Sequence, residues 1–185
     1  MVAVVDWRLI GMAMGFYQAQ GFKRVDMPWA VSWETAKVTC PDASRMFPFE
    51  DKVLVGSAEQ SFMEAQFLST LEPGRYVACT PCFRNEPVVD DLHQKQFMKV
   101  ELYSNEVNQT DLAVVFATIA KQFFYHHAYT EAQLVETAEG FDLEVGGIEV
   151  GSYSSRVYSG HAWTCGTGLA EPRFSTARNL LQQRL

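Results

Sequence analysis

The sequence predicts an α/β domain, and three observations carry that prediction. Trp7, Ile10, Met14 and Tyr17 recur at helical intervals. Tyr76–Tyr103 reads as two strands around a polar loop. Gly146-Gly147 sits between Phe141–Val145 and Ile148–Gly151, a strong two-residue hairpin signal. At 185 residues the chain is expected to form one domain over 1–185, with enough length for a substantial core. Apolar residues make up 48%, which rules out disorder as a class.

The first helix is expected over about Asp6–Gln20, with Gly21 as its stop. GFKRVDMPWAV follows, with Pro28 read as a strand edge or bend. Residues 33–51 carry Pro41, Asp42 and Pro48 and read as loop. Val53–Gly56 is a short apolar strand. Ser57 and Gln60 then fit a capping box that opens a helix to about Leu71. Asn108 or Thr110 is placed to cap a long helix through about Ala128, with Val114, Val115, Ile119, Phe123 and Phe124 as its apolar side. His126 and His127 fall in its last turn, where imidazolium suits the helix dipole, and are read as structural. Pro172 suits the first turn of a final helix over about Arg173–Gln183.

Chemistry concentrates in Tyr76–Tyr103. Residues two apart on a strand share a face, so Arg84 and Glu86 point the same way. On the return strand Phe97, Lys99, Glu101 and Tyr103 line one face, while Met98, Val100 and Leu102 line the other. A guanidinium, two carboxylates and an aromatic plate on one face suit a phosphate, an ammonium group and a flat heterocycle. In the second hairpin the Gly-Gly turn sets Glu144 directly opposite Glu149, an unfavourable pairing of like charges. A raised pKa, a neighbouring Arg or Lys, or a divalent cation would offset it. Cys79 and Cys82 form a C-x-x-C, but odd spacing puts them on opposite strand faces, against a redox or zinc role.

Arg84-x-Glu86, a loop, His93-x-x-x-Phe97 and a later Glu101 together resemble motif 2 of class II aminoacyl-tRNA synthetases. The stretches RYVACTPCFRNE and QKQFMKVELY are most similar to the seryl branch. The resemblance implies a mainly antiparallel sheet flanked by helices, of the class II synthetase/biotin ligase type, and an ATP site. There Arg84 would contact the α-phosphate, Phe97 would stack on adenine, and Glu86 would face adenine or the substrate. His93 would approach the outer phosphates, and Glu101 would sit near the substrate amine. Gly-Phe-x-x-Val-x-x-Pro resembles motif 1 and implies a homodimer through the Gly21–Pro28 region. GSAEQS resembles the seryl T-x-E substrate loop, with Ser57 replacing the threonine and Glu59 binding the amine; this is compatible with a capping role for Ser57. DLEVGGIEVGSYSS resembles the metal-binding strand. It implies Mg²⁺ at Glu149 and Ser152 beside Glu144, with Gly151 as the bulge that would bring the first two together. GTGLAEPRFSTARNLLQQRL resembles motif 3 and implies that Arg173 holds the γ-phosphate. Pro172 stands where the family commonly has Gly or Glu, and it restricts Glu171. Cys165 resembles a zinc-ligand position in synthetase-like carrier-protein ligases. The matching cysteine is absent from Ser57-Ala58-Glu59, so zinc is not expected.

The resemblance thus implies a ligase that uses ATP and Mg²⁺ to convert a small amino acid, with serine, glycine and alanine as first candidates, to an aminoacyl-adenylate. No protein nucleophile is needed, and no Ser/His/Asp arrangement is recognisable. A net charge of −7 with scattered basic residues argues against stable tRNA binding by this chain alone, and no tRNA-binding domain is expected. The acceptor is expected to be a carrier protein, a small molecule, or tRNA presented by another subunit. The alternative is a catalytically silent relative that binds an amino acid or nucleotide to regulate; a purely structural reuse of the fold is a third reading. No apolar run approaches the roughly 20 residues of a membrane span. The opening MVAVVDWR lacks a basic n-region, so a cytoplasmic protein is expected.

Overall fold

The computed structural model describes residues 4–106 and 112–183. In chain order it has α1 (Trp7–Ala19), β1 (Lys23–Arg24), β2 (Ala30–Val31), α2 (Trp33–Thr39), a 3-10 turn (Ala43–Arg45), β3 (Phe47–Phe49), β4 (Lys52–Leu54) and α3 (Ala58–Phe67). There follow β5 (Arg75–Phe83), β6 (Gln96–Ser104), α4 (Leu112–His127), β7 (Gln133–Thr137), β8 (Gly140–Val145), β9 (Ile148–Tyr158), β10 (His161–Glu171) and α5 (Arg173–Gln182). The main sheet has seven strands in the order β1-β5-β6-β10-β9-β8-β7, and β2-β4-β3 form a small second sheet. Among the described residues only the β1–β5 pairing is parallel. The expected antiparallel sheet flanked by helices is therefore present.

The alternation of β6 sorts the two faces as its sequence predicts. Val100 and Leu102 enter the core shared with α1, α4 and α5, whereas Tyr103 packs on the other face with Phe62 and Met63 of α3. Burying such side chains supplies the main favourable term, about 1.5–3 kcal/mol for each large apolar group. Helix stripes are offset from the expected ones. In α1 the buried set is Leu9, Ile10, Ala13, Met14 and Tyr17, and Trp7 is exposed. In α4 it is Leu112, Ala113, Phe116, Ala117, Ala120, Phe123 and Phe124, with Val115 exposed. Alanines are part of both buried stripes, which a reading weighted to large residues passes over. His127 lies in the last turn of α4 against Phe123 and Phe16. The caps expected at Asn108 or Thr110 lie outside the described residues.

Two tyrosines explain glycines of β10. Tyr17 donates to the Gly168 carbonyl at 2.7 Å and Tyr153 to the Thr167 carbonyl at 2.6 Å. A Cβ on Gly166 would meet the Tyr153 ring at 2.2 Å, and one on Gly168 the Tyr17 ring at 2.7 Å. Only a bare backbone fits there. The glycines thus lie within a strand, with a register shift between Thr167 and Leu169. Residues 33–51, expected as loop, instead hold α2, the 3-10 turn and β3. Among the described residues no helix is long and apolar enough to cross a membrane.

Candidate active site

The loop after β5 is fixed by the 3-10 turn. Asn85 N–H donates to the Arg45 carbonyl at 2.9 Å, and its side chain donates to the Ser44 carbonyl at 2.9 Å. Arg45 forms an ion pair of 2.5 Å with Glu86. Arg84 lies one residue beyond β5, so strand alternation does not aim it. Its Nε donates to the Gly56 carbonyl at 3.0 Å, and its guanidinium sits 5.2 Å from the Phe97 ring centroid.

Two clefts meet at this loop, and Arg84 and Glu86 line both. The first, about 110 Å³, is also lined by His93, Phe97, Lys99, Glu149, Thr167 and Arg173. His93 is oriented by Asp90, with Nδ1 2.9 Å from the carboxylate. Arg173 donates from Nε to the Glu149 carbonyl at 2.7 Å, and its guanidinium is 3.9 Å from the Glu149 carboxylate. Starting a helix directly after Pro172 therefore leaves Arg173 aimed into the cleft.

The second cleft, about 370 Å³, is lined by residues 39–42, Arg45 and Met46 together with Gly56, Ser57, Glu59, Gln60 and Arg156. Ser57 caps α3, accepting from Glu59 N–H at 3.3 Å. Gln60 completes the start of the helix by accepting from Gly56 N–H at 2.8 Å, one residue short of the expected capping box. Glu59 points inward, where its Oε1 accepts from Arg156 at 3.2 Å, Trp163 at 2.9 Å and the Cys165 thiol at 3.2 Å. Burial pushes that thiol well above its ordinary pKa, and the neighbouring Glu59 adds to the rise.

Beneath the junction of the clefts lies a buried triad. Ser57 donates to Glu101, Lys99 Nζ is 2.8 Å from the same carboxylate, and Lys99 also reaches Ser57 Oγ at 3.3 Å. Burial raises the Glu101 pKa, and Lys99 only partly counters it. Glu101 is 1% exposed and lies under the cleft surfaces, so Ser57 and Lys99 stand between it and any ligand.

The second hairpin has the expected register, Glu144 opposite Glu149 and Val145 opposite Ile148. A register shift between Leu143 and Glu144 leaves Val150 as the extra residue on β9, so the bulge falls there and not at the expected Gly151, which pairs with Leu143. Glu149 and Ser152 therefore share a face with Glu144 and Asp142, as a bulge should make them. The charge that offsets the opposed pair is the Arg173 guanidinium. Among the described residues no group of three or more His, Cys, Asp or Glu side chains is arranged as a metal cage. Cys79 and Cys82 are free thiols, each raised to about 11 by burial.

Arg45 and Arg156 carry no local signal in the sequence. They reach the site across 41 and 97 residues of chain, so only the fold reveals them.

Residues 33–179 match the family described as tRNA synthetases class II core domain (F). The fold is similar to that of a pyrrolysyl tRNA synthetase from Desulfitobacterium hafniense, with a TM-score of 0.76 and 17% identity over 95% of this chain and 69% of that one. A second structure of pyrrolysyl-tRNA synthetase from that organism gives 0.75 and 19% identity, over 93% of this chain and 68% of that one. Seryl-tRNA synthetase from Pyrococcus horikoshii, complexed with ATP, gives 0.72 and 20% identity over 95% of this chain and 49% of that one. The chain thus spans about half the length of the seryl enzyme. No curated protein matches by sequence.

Proposed function

The chain belongs to the class II tRNA synthetase core-domain family, and we propose that it activates a small amino acid with ATP, forming an aminoacyl-adenylate and pyrophosphate. The observation that carries this reading is the pair of clefts meeting at Arg84. The reaction needs two ligands side by side: a carboxylate and the α-phosphorus it attacks in line. The first cleft offers a ring face at Phe97 and cations at Arg84, Lys99 and Arg173, a set that suits a nucleoside triphosphate. The second offers Ser57, Glu59 and Arg156 to the amino acid.

In this reading Arg84 neutralises charge growing on the α-phosphate, and Arg173 and His93 hold the outer phosphates. Catalysis comes from positioning and charge neutralisation by groups already fixed in place. Burial works against the Lys99 charge, but the attraction and hydrogen bond of Glu101, with a smaller contribution from Cys82, together leave its pKa above the ordinary value. Ser57 and Glu59 contact the substrate, while Glu101 orients Ser57 and Lys99 from below. Glu149, Glu144 and Ser152 offer hard oxygen donors on one face and fit magnesium bound largely through phosphate oxygens. When bound, the ion would neutralise phosphate charge. The acceptor we favour is a carrier protein, a small molecule, or tRNA held by another subunit, because the chain is acidic. A homodimer through the Gly21–Pro28 region and a cytoplasmic location complete the proposal.

The test is a single-turnover incubation of protein, magnesium, α-labelled ATP and a mixture of amino acids, followed by separation of labelled products. An amino-acid-linked AMP species, absent with Arg84→Ala, is expected. ATP binding with no such species would favour the catalytically silent alternative.

A further inference from the structure

The donors and acceptors that face the larger cleft do not balance. Glu59 already accepts from Arg156, Trp163 and Cys165, and Glu86 from Arg45. Glu59 and Glu86 thus each have a cation in the chain, and Asp42, which also lines the cleft, accepts from Ser44 N–H and Oγ–H. The arginines are not used up in return. Arg156 spends Nε on Ser154 Oγ at 3.0 Å and Nη1 on Glu59, and its Nη2 bonds to no described residue. Arg45 keeps a buried Nε without an acceptor. Arg84 makes no ion pair with a described residue and spends Nε on the Gly56 carbonyl. Three guanidiniums with unspent N–H groups surround one cleft of about 370 Å³. Arginine has five donors and no acceptor, so the ligand must bring the oxygens.

Arg84 stands at the junction of the clefts, where the carboxylate undergoing activation has to lie. Arg156 lines the larger cleft from β9, held in one orientation by Ser154 and Glu59. We infer that Arg156 is a specificity determinant and that the amino acid activated here has a short side chain ending in a carboxylate or amide, that of aspartate or asparagine. A planar guanidinium with a free edge matches a carboxylate or amide oxygen better than a lone hydroxyl, and it gains nothing from hydrogen or methyl. Arg156 lies 3.2 Å from Glu59, the group read as holding the amine, so a side chain that reaches Arg156 from there is short. The inference rests on the adenylation reading and narrows its substrate class.

Amino-acid-dependent exchange of pyrophosphate into ATP tests it, measured with aspartate, asparagine, serine, glycine and alanine on the wild type, Arg156→Met and Arg156→Lys. Aspartate or asparagine is expected to give the highest kcat/KM. Arg156→Met should raise KM for that amino acid by about tenfold to a hundredfold, because an unpaired polar group is left in a site built to bond it. KM for ATP should stay unchanged, which a general loss of structure would not allow. Arg156→Lys keeps the charge for Glu59 but loses the fork, and should lie between the two. Best exchange with serine, glycine or alanine, or an unchanged amino-acid KM in Arg156→Met, overturns the inference and leaves adenylation standing. No exchange with any amino acid, while ATP still binds, overturns adenylation and this inference with it.

Discussion

Arg84 is where one side chain serves both clefts, so its removal separates ligand binding from folding. ATP with magnesium should stabilise the protein by mass action, about 2.7 kcal/mol at a hundredfold excess over Kd. Arg84→Ala should lose most of that gain in a thermal-shift titration while its ligand-free melting temperature changes little. Glu149 needs a different argument. Opposed carboxylates alone would make Glu149→Gln stabilising, by roughly 0.2–1 kcal/mol. The Arg173 guanidinium at 3.9 Å works the other way, on a half-exposed carboxylate where such pairs contribute about 0–1 kcal/mol. The two nearly cancel, so denaturant melts of Glu149→Gln should lie within about 1 kcal/mol of wild type, while KM for ATP rises. Buried Glu171 supplies a pH test. It accepts from Asp6 N–H and from Ser175 N–H and Oγ–H, tying the starts of α1 and α5 together. Burial raises its pKa despite those hydrogen bonds. The folded state therefore holds this proton at higher pH than the unfolded chain. Its contribution to stability falls as pH rises from the ordinary carboxylate value through the raised one. The stability of wild type relative to Glu171→Gln should fall as pH rises above the ordinary carboxylate value, and a rise would contradict the assignment. At this scale Arg84, Phe97 and His93 were legible because their spacing lies within one hairpin. Arg45 and Arg156 were not, since their partners are brought together only by the fold.

At the scale of elements, strands were read better than helices. Period two sorted β6 correctly, and the Gly146-Gly147 turn set the Glu144–Glu149 register. Both signals are local and depend on which face a side chain takes. The length of β9 and β10 was hidden because Ser154, Ser155, Thr164, Gly166 and Thr167 lack the apolar alternation of a half-buried strand. Thr167 lines a cleft, Ser155 and Thr164 bond each other across the strands, and Gly166 is bare to admit the Tyr153 ring, so each polar or small residue has its own local reason. Of the small sheet, β4 answers the strand expected at Val53–Gly56, while β2 and β3 were missed because they run only two or three residues and β3 includes Pro48. Close packing of β10 on Tyr153 gives a sharp test: Gly166→Ala should destabilise by about 1–3 kcal/mol in a denaturant melt. A neutral result would show that the Tyr153 ring moves aside freely.

The whole molecule brings two clefts to the junction of one sheet and two helix starts, and it carries a net charge of −7. Free tRNA should therefore bind weakly, with affinity falling steeply as salt rises. Charging of bulk tRNA at physiological salt is expected to be far slower than adenylate formation in a filter assay that follows both. Comparable rates would restore tRNA as the direct acceptor. The central claim, that the two clefts join an amino acid to AMP, is tested most directly by ATP–pyrophosphate exchange with each standard amino acid in turn. The account predicts exchange driven by a small amino acid and lost in Arg84→Ala. Exchange driven only by a large aromatic or basic amino acid, or by none, would contradict it.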